Sequence, residues 1–420
     1  MFKLSSQDRN DLVAFLRDLI RIPSPSTKEG AVAERLAEEM RRVGFTRVRR
    51  DRIGNVIGCL GTSGGRRLVY NGHMDTVSVS GPDAWARDPY AAQIEDGVLY
   101  GLGACDMKGA LAAMVYGAKA LVDASIHLAG ELYVVGVVQE EPCEGLAMQV
   151  LVEEEGTRPD FVVLGEPTNL QIKRGHRGRV EMKVTVRGRS CHASTPSQGR
   201  NAIYDAARLI FGVELLAPQL ASDPFLGQGS LAVTQIESSA ASRNAIPDSC
   251  SFYIDRRLTL GETEAKALAE IQGIIAREGV DAKVHVTEYR TSSYTGYECR
   301  AREFYPAWAL DDDHPLVQAT AKAVRETLGY WPRLGQWAFS TDGTYTMGRA
   351  NIPTVGFGPG EERFAHTVDD QIRLDDVVAA ARVYARLAVE VLGVRQYPIS
   401  NSCHVPVIVN SQKVPPIVDS

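Results

Sequence analysis

Apolar residues at Leu12, Phe15, Leu16 and Leu19 recur at the 3.6-residue spacing that predicts a helix over residues 8–22, and Pro23 and Pro25 close it. Residues 29–43 carry a second helical pattern, stopped by Gly44, a residue suited to the left-handed turn after a helix. Residues 56–60 and 67–70 are short apolar runs that predict strands, the second leading directly into Asn71-Gly72-His73-Met74-Asp75. A helix is predicted over 106–122. Residues 132–139 form an almost wholly apolar run, as expected of a strand covered on both faces, and residues 161–164 form a shorter one that stops just before Glu166. Strands alternating with helices predict an α/β domain with a largely parallel sheet flanked by helices.

The pattern changes near residue 178. Val180, Met182, Val184 and Val186 alternate with polar residues, the mark of a half-exposed strand. A helical stretch (201–216), two strand-like stretches (231–237 and 249–256), another helix (263–278) and an alternating strand (282–288) follow. This strand–helix–strand–strand–helix–strand order is the split βαβ arrangement. Helical patterns at 315–328 and 374–391 resemble the first part of the chain again. The expected organisation is a discontinuous domain of residues 1–178 and 295–395, an inserted α+β domain of residues 179–294, and a C-terminal tail, 396–420. The tail carries Pro398, Pro406, Pro415 and Pro416 and is expected to be loosely ordered.

Length and composition fit this reading. At 420 residues, 44% hydrophobic and 23% charged, the chain has room for two domains with their own cores. A formal net charge of −6 gives no basic surface for nucleic acid. The seven cysteines are scattered and contain no CxxC pair, so neither a disulfide framework nor a thiolate metal site is expected. No signal-peptide pattern and no apolar run long enough for a membrane span is found, which makes the cytoplasm the expected location.

The chemistry sits at the ends of the predicted elements. His73 follows a strand, with Asp75 two residues on, where a carboxylate can steady the ring from behind. Asp106 lies in a glycine-rich turn before a helix. Gly101-x-Gly103 lacks the third glycine of a dinucleotide-binding turn. Glu140 and Glu141 lie at the mouth of a buried strand, Glu166 follows another, and His366 precedes a helix. Two histidines, three carboxylates and one spare glutamate offer nitrogen and oxygen ligands without thiolate. Such a set suits zinc, cobalt or manganese, and a shared carboxylate suits a metal pair. The spare glutamate is the proton acceptor that water activated by a metal requires.

The strings NGHMDTV, GLGACDMKGALAAM, VVQEEPCEG, LGEPTN and FAHTVDD, in this order across residues 71–370, resemble the five motifs of the M20 metallopeptidase family, which includes acetylornithine deacetylase, succinyl-diaminopimelate desuccinylase, carboxypeptidase G and aminoacylases. The resemblance implies the two-domain zinc-peptidase architecture. It also implies two divalent ions, zinc above all: His73 and Glu166 on one, Glu141 and His366 on the other, and Asp106 bridging them. Glu140 would be the general base, Asp75 would orient His73, and a cis peptide would follow Asp106. The inserted domain would act as a lid and form a homodimer, with His192 reaching the partner's site. Asn244 and Arg257 match lid positions that bind a substrate carboxylate, and Ser340 lies in a segment resembling one that lines the same pocket. The implied reaction is hydrolysis of an amide bond in an N-acyl amino acid or short peptide, with acetylornithine and succinyl-diaminopimelate as candidates. A non-catalytic binding protein that kept the fold is the alternative, and a cysteine hydrolase using Cys105 or Cys143 is a weaker one.

Overall fold

The computed structural model describes residues 2–79, 81–240 and 242–395. The expected C-terminal tail, with Cys403, lies outside the described residues. The first helix, Ser6–Arg21, starts where Ser5 and Asp8 exchange hydrogen bonds through side chain and backbone, which satisfies the free amides of its first turn. Its buried residues, Leu12, Phe15, Leu16, Leu19 and Ile20, include all four positions of the apolar stripe.

A nine-stranded mixed sheet carries the larger core. Its order is Arg47–Arg50, Val56–Gly61, Glu131–Val137, Arg67–His73, Phe161–Leu164, Thr354–Gly356, Ile172–His176 and Trp308–Ala309, with Leu334–Trp337 beside Ile172–His176. The four strands from Glu131–Val137 to Thr354–Gly356 run parallel, and antiparallel pairs lie toward both edges. Every residue of Glu131–Val137 is buried, as its apolar run predicts. Helices Gly109–Asp123 and Leu374–Leu392 pack closely at Gly117, where an added Cβ would stand 2.7 Å from the carbonyl oxygen of Ala381. A side chain at that position would force the two helices apart.

A second, antiparallel sheet has the order Ser230–Ser238, Ser249–Leu258, Gly178–Arg187, Ala282–Val286. Helices Ala202–Leu216 and Glu264–Glu278 supply residues to its separate hydrophobic core. This is the split βαβ topology, and Gly178–Arg187 alternates strictly between buried and half-buried or exposed positions. Phe304–Tyr305 still pairs with this sheet, and Trp308–Ala309 joins the larger one. No helix among the described residues is long and apolar enough to cross a membrane.

Candidate metal centre and active-site cleft

The parallel strands deliver the expected ligands to one place. His73 ends Arg67–His73, Glu140 and Glu141 follow Glu131–Val137, and Glu166 follows Phe161–Leu164. Crevices at the carboxyl ends of such strands are where ligands bind in open α/β sheets. Asp106 enters from a turn. Its backbone is extended, with φ −124° and ψ 95°, and the implied cis peptide Asp106–Met107 is present. The helix therefore starts at Gly109, later than the sequence pattern predicts. The backbone amides of Gly103 and Cys105 donate to Asp370 at 2.6 and 2.8 Å and fix this turn.

The two oxygens of Asp106 face different histidines. Oδ1 is 2.9 Å from His73 Nε2, and Oδ2 is 3.4 Å from His366 Nε2. Glu166 Oε1 stands 3.9 Å from His73 Nε2, and Glu141 Oε2 stands 2.9 Å from His366 Nε2. Two groups result, His73–Asp106–Glu166 and Asp106–Glu141–His366, each with one donor atom per residue within 4.8 Å of the others.

The electrostatics of this cluster call for cations. Burial, then the charge of Glu166, pushes Glu140 well above the usual carboxylate range. Burial, then Asp106, does the same to Glu166, and burial raises Glu141. Burial alone would lower His73, yet its contact with Asp106 and the neighbouring carboxylates hold it well above the ordinary imidazole range. Glu140 Oε1 is buried without a hydrogen-bond partner. Crowded carboxylates, two imidazoles and no thiolate fit divalent ions of the zinc, cobalt or manganese kind.

Asp75 meets His73 through its backbone first. The nearer contact to His73 Nδ1 is the backbone carbonyl oxygen of Asp75, at 2.8 Å, while its carboxylate is 3.8 Å away. A carbonyl only accepts, so Nδ1 is the donor and Nε2 is left to face the ligand groups. The Asp75 carboxylate accepts instead from the amides of Glu140 and Glu141 at 3.2 and 3.3 Å, and from Ser26 Oγ at 2.6 Å. It holds the turn of the paired glutamates while standing beside the imidazole.

The candidate ligand residues line a cleft of about 330 Å³ together with Glu140, Glu144, Arg179, Arg257, Phe339, Ser340 and Glu362. Arg257 is gripped by Asp255 through Nε and Nη2. Ser340 Oγ donates to Glu144 Oε1 at 2.6 Å, and Arg179 Nη2 donates to Glu144 Oε2 at 2.8 Å. Glu144 and Arg179 were not anticipated from sequence: Glu144 stands in the string VVQEEPCEG, three residues past Glu141, but its partner Arg179 lies 35 positions away. His192 and Asn244 do not line the cleft. They are exposed on a small two-stranded sheet, where Cys191–His192 pairs with Ala245–Ile246 and the Asn244 carbonyl accepts from the amide of Ala193. Cys143 is pushed up to about 12 by burial, and burial also raises Cys105, so neither supplies a thiolate nucleophile.

A cleft built in this way works through bound metal, which defines a metal-dependent hydrolase. The family follows from the sequence: residues 69–390 match peptidase family M20/M25/M40, and the chain belongs to that family. It is 40% identical to the protein named uncharacterized protein YgeY of Escherichia coli (strain K12), over 90% of this chain and 93% of that protein. It is 27% identical to a succinyl-diaminopimelate desuccinylase of Magnetococcus marinus, over 90% of this chain and 97% of that protein. In structure it resembles the Bacillus subtilis YXEP protein, described as a dinuclear metal binding peptidase from the M20 family. That match has a TM-score of 0.66 and 16% identity, and covers 93% of this chain and all of that one.

Proposed function

We propose that the chain hydrolyses the amide bond of an N-acyl amino acid or short peptide, using two divalent ions. The carrying observation is that Asp106 is shared between two histidine–carboxylate groups while Glu140 stands beside them with a free, buried oxygen. His73 and Glu166 would hold one ion and Glu141 and His366 the other, with Asp106 offering one carboxylate oxygen to each group. Bound there, such ions would supply Lewis acidity and lower the pKa of water toward neutral. Glu140 takes the proton from that water at its carboxylate and returns it to the leaving amine nitrogen. Asp75 holds Glu140 and Glu141 in place through their backbone amides. Arg257, fixed by Asp255, receives a carboxylate of the substrate, and Ser340, Glu144 and Arg179 form the adjoining wall.

Residues 179–294 serve as a lid and dimerisation domain, and residues 1–178 and 295–395 as the catalytic domain. Helix Ala202–Leu216 exposes Tyr204, Phe211 and Leu215, and Ser230–Ser238 is an edge strand with Ile236 exposed beside that helix. An open strand edge and an apolar face invite a second copy of the chain. In that dimer His192 and Asn244, outside their own cleft, are free to serve the partner's. The six described cysteines are all free, which suits a reducing compartment such as the cytoplasm. The desuccinylase relatives and the peptidase-like structures support both substrate arms, acyl amino acids and short peptides. The test is an activity screen of the zinc-, cobalt- and manganese-loaded protein against N-acetyl and N-succinyl amino acids and dipeptides. Lack of hydrolysis in every arm sinks the proposal.

A further inference from the structure

Gln139, the residue before the paired glutamates, is buried and has φ +52°, in the left-handed region that side chains other than glycine rarely occupy. Such a conformation persists only where surroundings over-determine it. Here three contacts do so. The amide of Gln139 donates to Glu29 Oε1 at 3.1 Å, Tyr289 Oη donates to Gln139 Oε1 at 2.7 Å, and Gln139 Nε2 points at Cys299 Sγ, 3.6 Å away.

Tyr289 and Cys299 lie on opposite strands of one hairpin, Glu288–Ser292 and Glu298–Arg302. The hairpin is rooted in the smaller sheet, where the amide of Thr287 donates to the carbonyl of Glu181 and the amide of Glu303 to that of Thr287. Its tip is fastened to the larger sheet's loops. Tyr294 Oη donates to the Gly54 carbonyl at 2.8 Å, and Thr295 Oγ1 donates to the Arg52 carbonyl at 2.6 Å. The Tyr294 ring lies so close over Gly54, itself at φ +115°, that an added Cβ would come within 2.4 Å of it. The hairpin therefore bridges both sheets and grips the residue that turns the chain from the buried strand into Glu140 and Glu141.

We propose that this hairpin is a positioning device: Tyr289 and Cys299 pin Gln139 in its left-handed turn, and so aim Glu140 at the reacting water and Glu141 at its ion. Asp75 holds the same turn from the other side through the next two amides. The proposal rests on the roles of base and ligand given to those glutamates above.

The test separates backbone conformation from mere packing. Gln139→Ala removes the pins but keeps a Cβ, so the left-handed turn becomes unfavourable. It should lower kcat and Zn²⁺ affinity, each by about 5- to 30-fold, with KM little changed. Gln139→Gly also removes the pins but adopts positive φ freely, and should stay within about threefold of the wild-type chain. Tyr289→Phe should lower kcat in the wild-type background and have no further effect in the Gln139→Gly background, a double-mutant cycle that isolates the contact. Zn²⁺ affinity is measured by competition with a chromophoric chelator, and folding by thermal melts. Wild-type behaviour of Gln139→Ala, equal loss in the Ala and Gly variants, or an equal Tyr289→Phe effect in both backgrounds would each overturn the proposal. If the wild-type chain hydrolyses nothing in the substrate panel, the proposed reaction falls, and the Zn²⁺ arm still decides this one.

Discussion

Glu140 and Glu141 are neighbours in sequence with opposite surroundings, so their glutamine variants should fail in opposite ways. Glu140 Oε1 is buried with no hydrogen-bond partner, and burial and the charge of Glu166 already push the group up. Glu140→Gln breaks no bond of that oxygen and removes one of the crowded negative charges. The variant should keep its full complement of ions, and its metal-free form should melt at a higher temperature than the wild type. Turnover should nevertheless fall by about 10²- to 10⁴-fold, the usual worth of a general base, or roughly 3–5 kcal/mol in the barrier. Glu141 has both oxygens against His366 Nε2, at 2.9 and 3.1 Å. An amide there turns an NH₂ toward the position an ion must take. Glu141→Gln should therefore lose about one ion per chain along with its rate. Elemental analysis after dialysis, paired with initial rates on the responding substrate, reads both. If the two variants match in metal content, or if Glu140→Gln keeps its rate, the division into base and ligand is wrong.

Chelation should abolish hydrolysis and lower the melting temperature, since ions bind only the folded cluster. At ion concentrations of 100 to 1,000 times Kd each site contributes about 3–4 kcal/mol, and a melt unchanged by chelator would contradict this. Mixing Glu140→Ala chains with His192→Ala chains, each inactive alone, should restore activity once subunits exchange, because one cleft of the mixed dimer then has both residues. Confirmed exchange without activity removes His192 from the partner's site. His176 is fully buried against Trp308, and burial lowers it to about 4. The unfolded chain takes up a proton below about 6.5 while folded His176 stays neutral, so its contribution to stability is lost as pH falls from 6.5 to 4. His176→Asn should remove about 3 kcal/mol of that dependence, and melts across this window check it.

The positions of the proposed ligands were legible because each ends a strand or opens a turn, and the end of a buried apolar run is marked in sequence by its first charged residues. The split βαβ order was legible for the same reason, since strict alternation in Gly178–Arg187 contrasts with the continuous apolar run of Glu131–Val137. Structure set by long-range contact was not legible. The predicted strand 132–139 stops at Val137 because Gln139 turns left-handed, and nothing next to Gln139 in sequence carries that turn. Its cause is a hairpin about 150 residues away. Asp75 stands two residues from His73, so a side-chain contact between them was the natural expectation. The backbone carbonyl reaches the ring first, and this frees the carboxylate for the glutamate amides.

Asp75, Asp342 and Asp370 show how the loops of a buried acidic site are tied together through uncharged hydrogen-bond donors. All three are buried, and each ties separate loops. Asp75 accepts from Ser26 and two backbone amides, Asp342 from Asn71 Nδ2 and the amide of Gly145, and Asp370 from the amides of Gly103 and Cys105. None of these donors is charged. Burial raises Asp342 to about 6 and Asp370 to about 8, which marks the cost of keeping carboxylates there on neutral donors. Lysine or arginine partners would have relieved that cost more fully, since a charge-assisted bond is stronger than a neutral one. They would also have added fixed positive charge to a cleft that already holds Arg179 and Arg257, where it competes with a divalent ion. Neutral donors fix the loops without adding to that positive charge. The stability given up around the centre is thus part of what lets it bind ions.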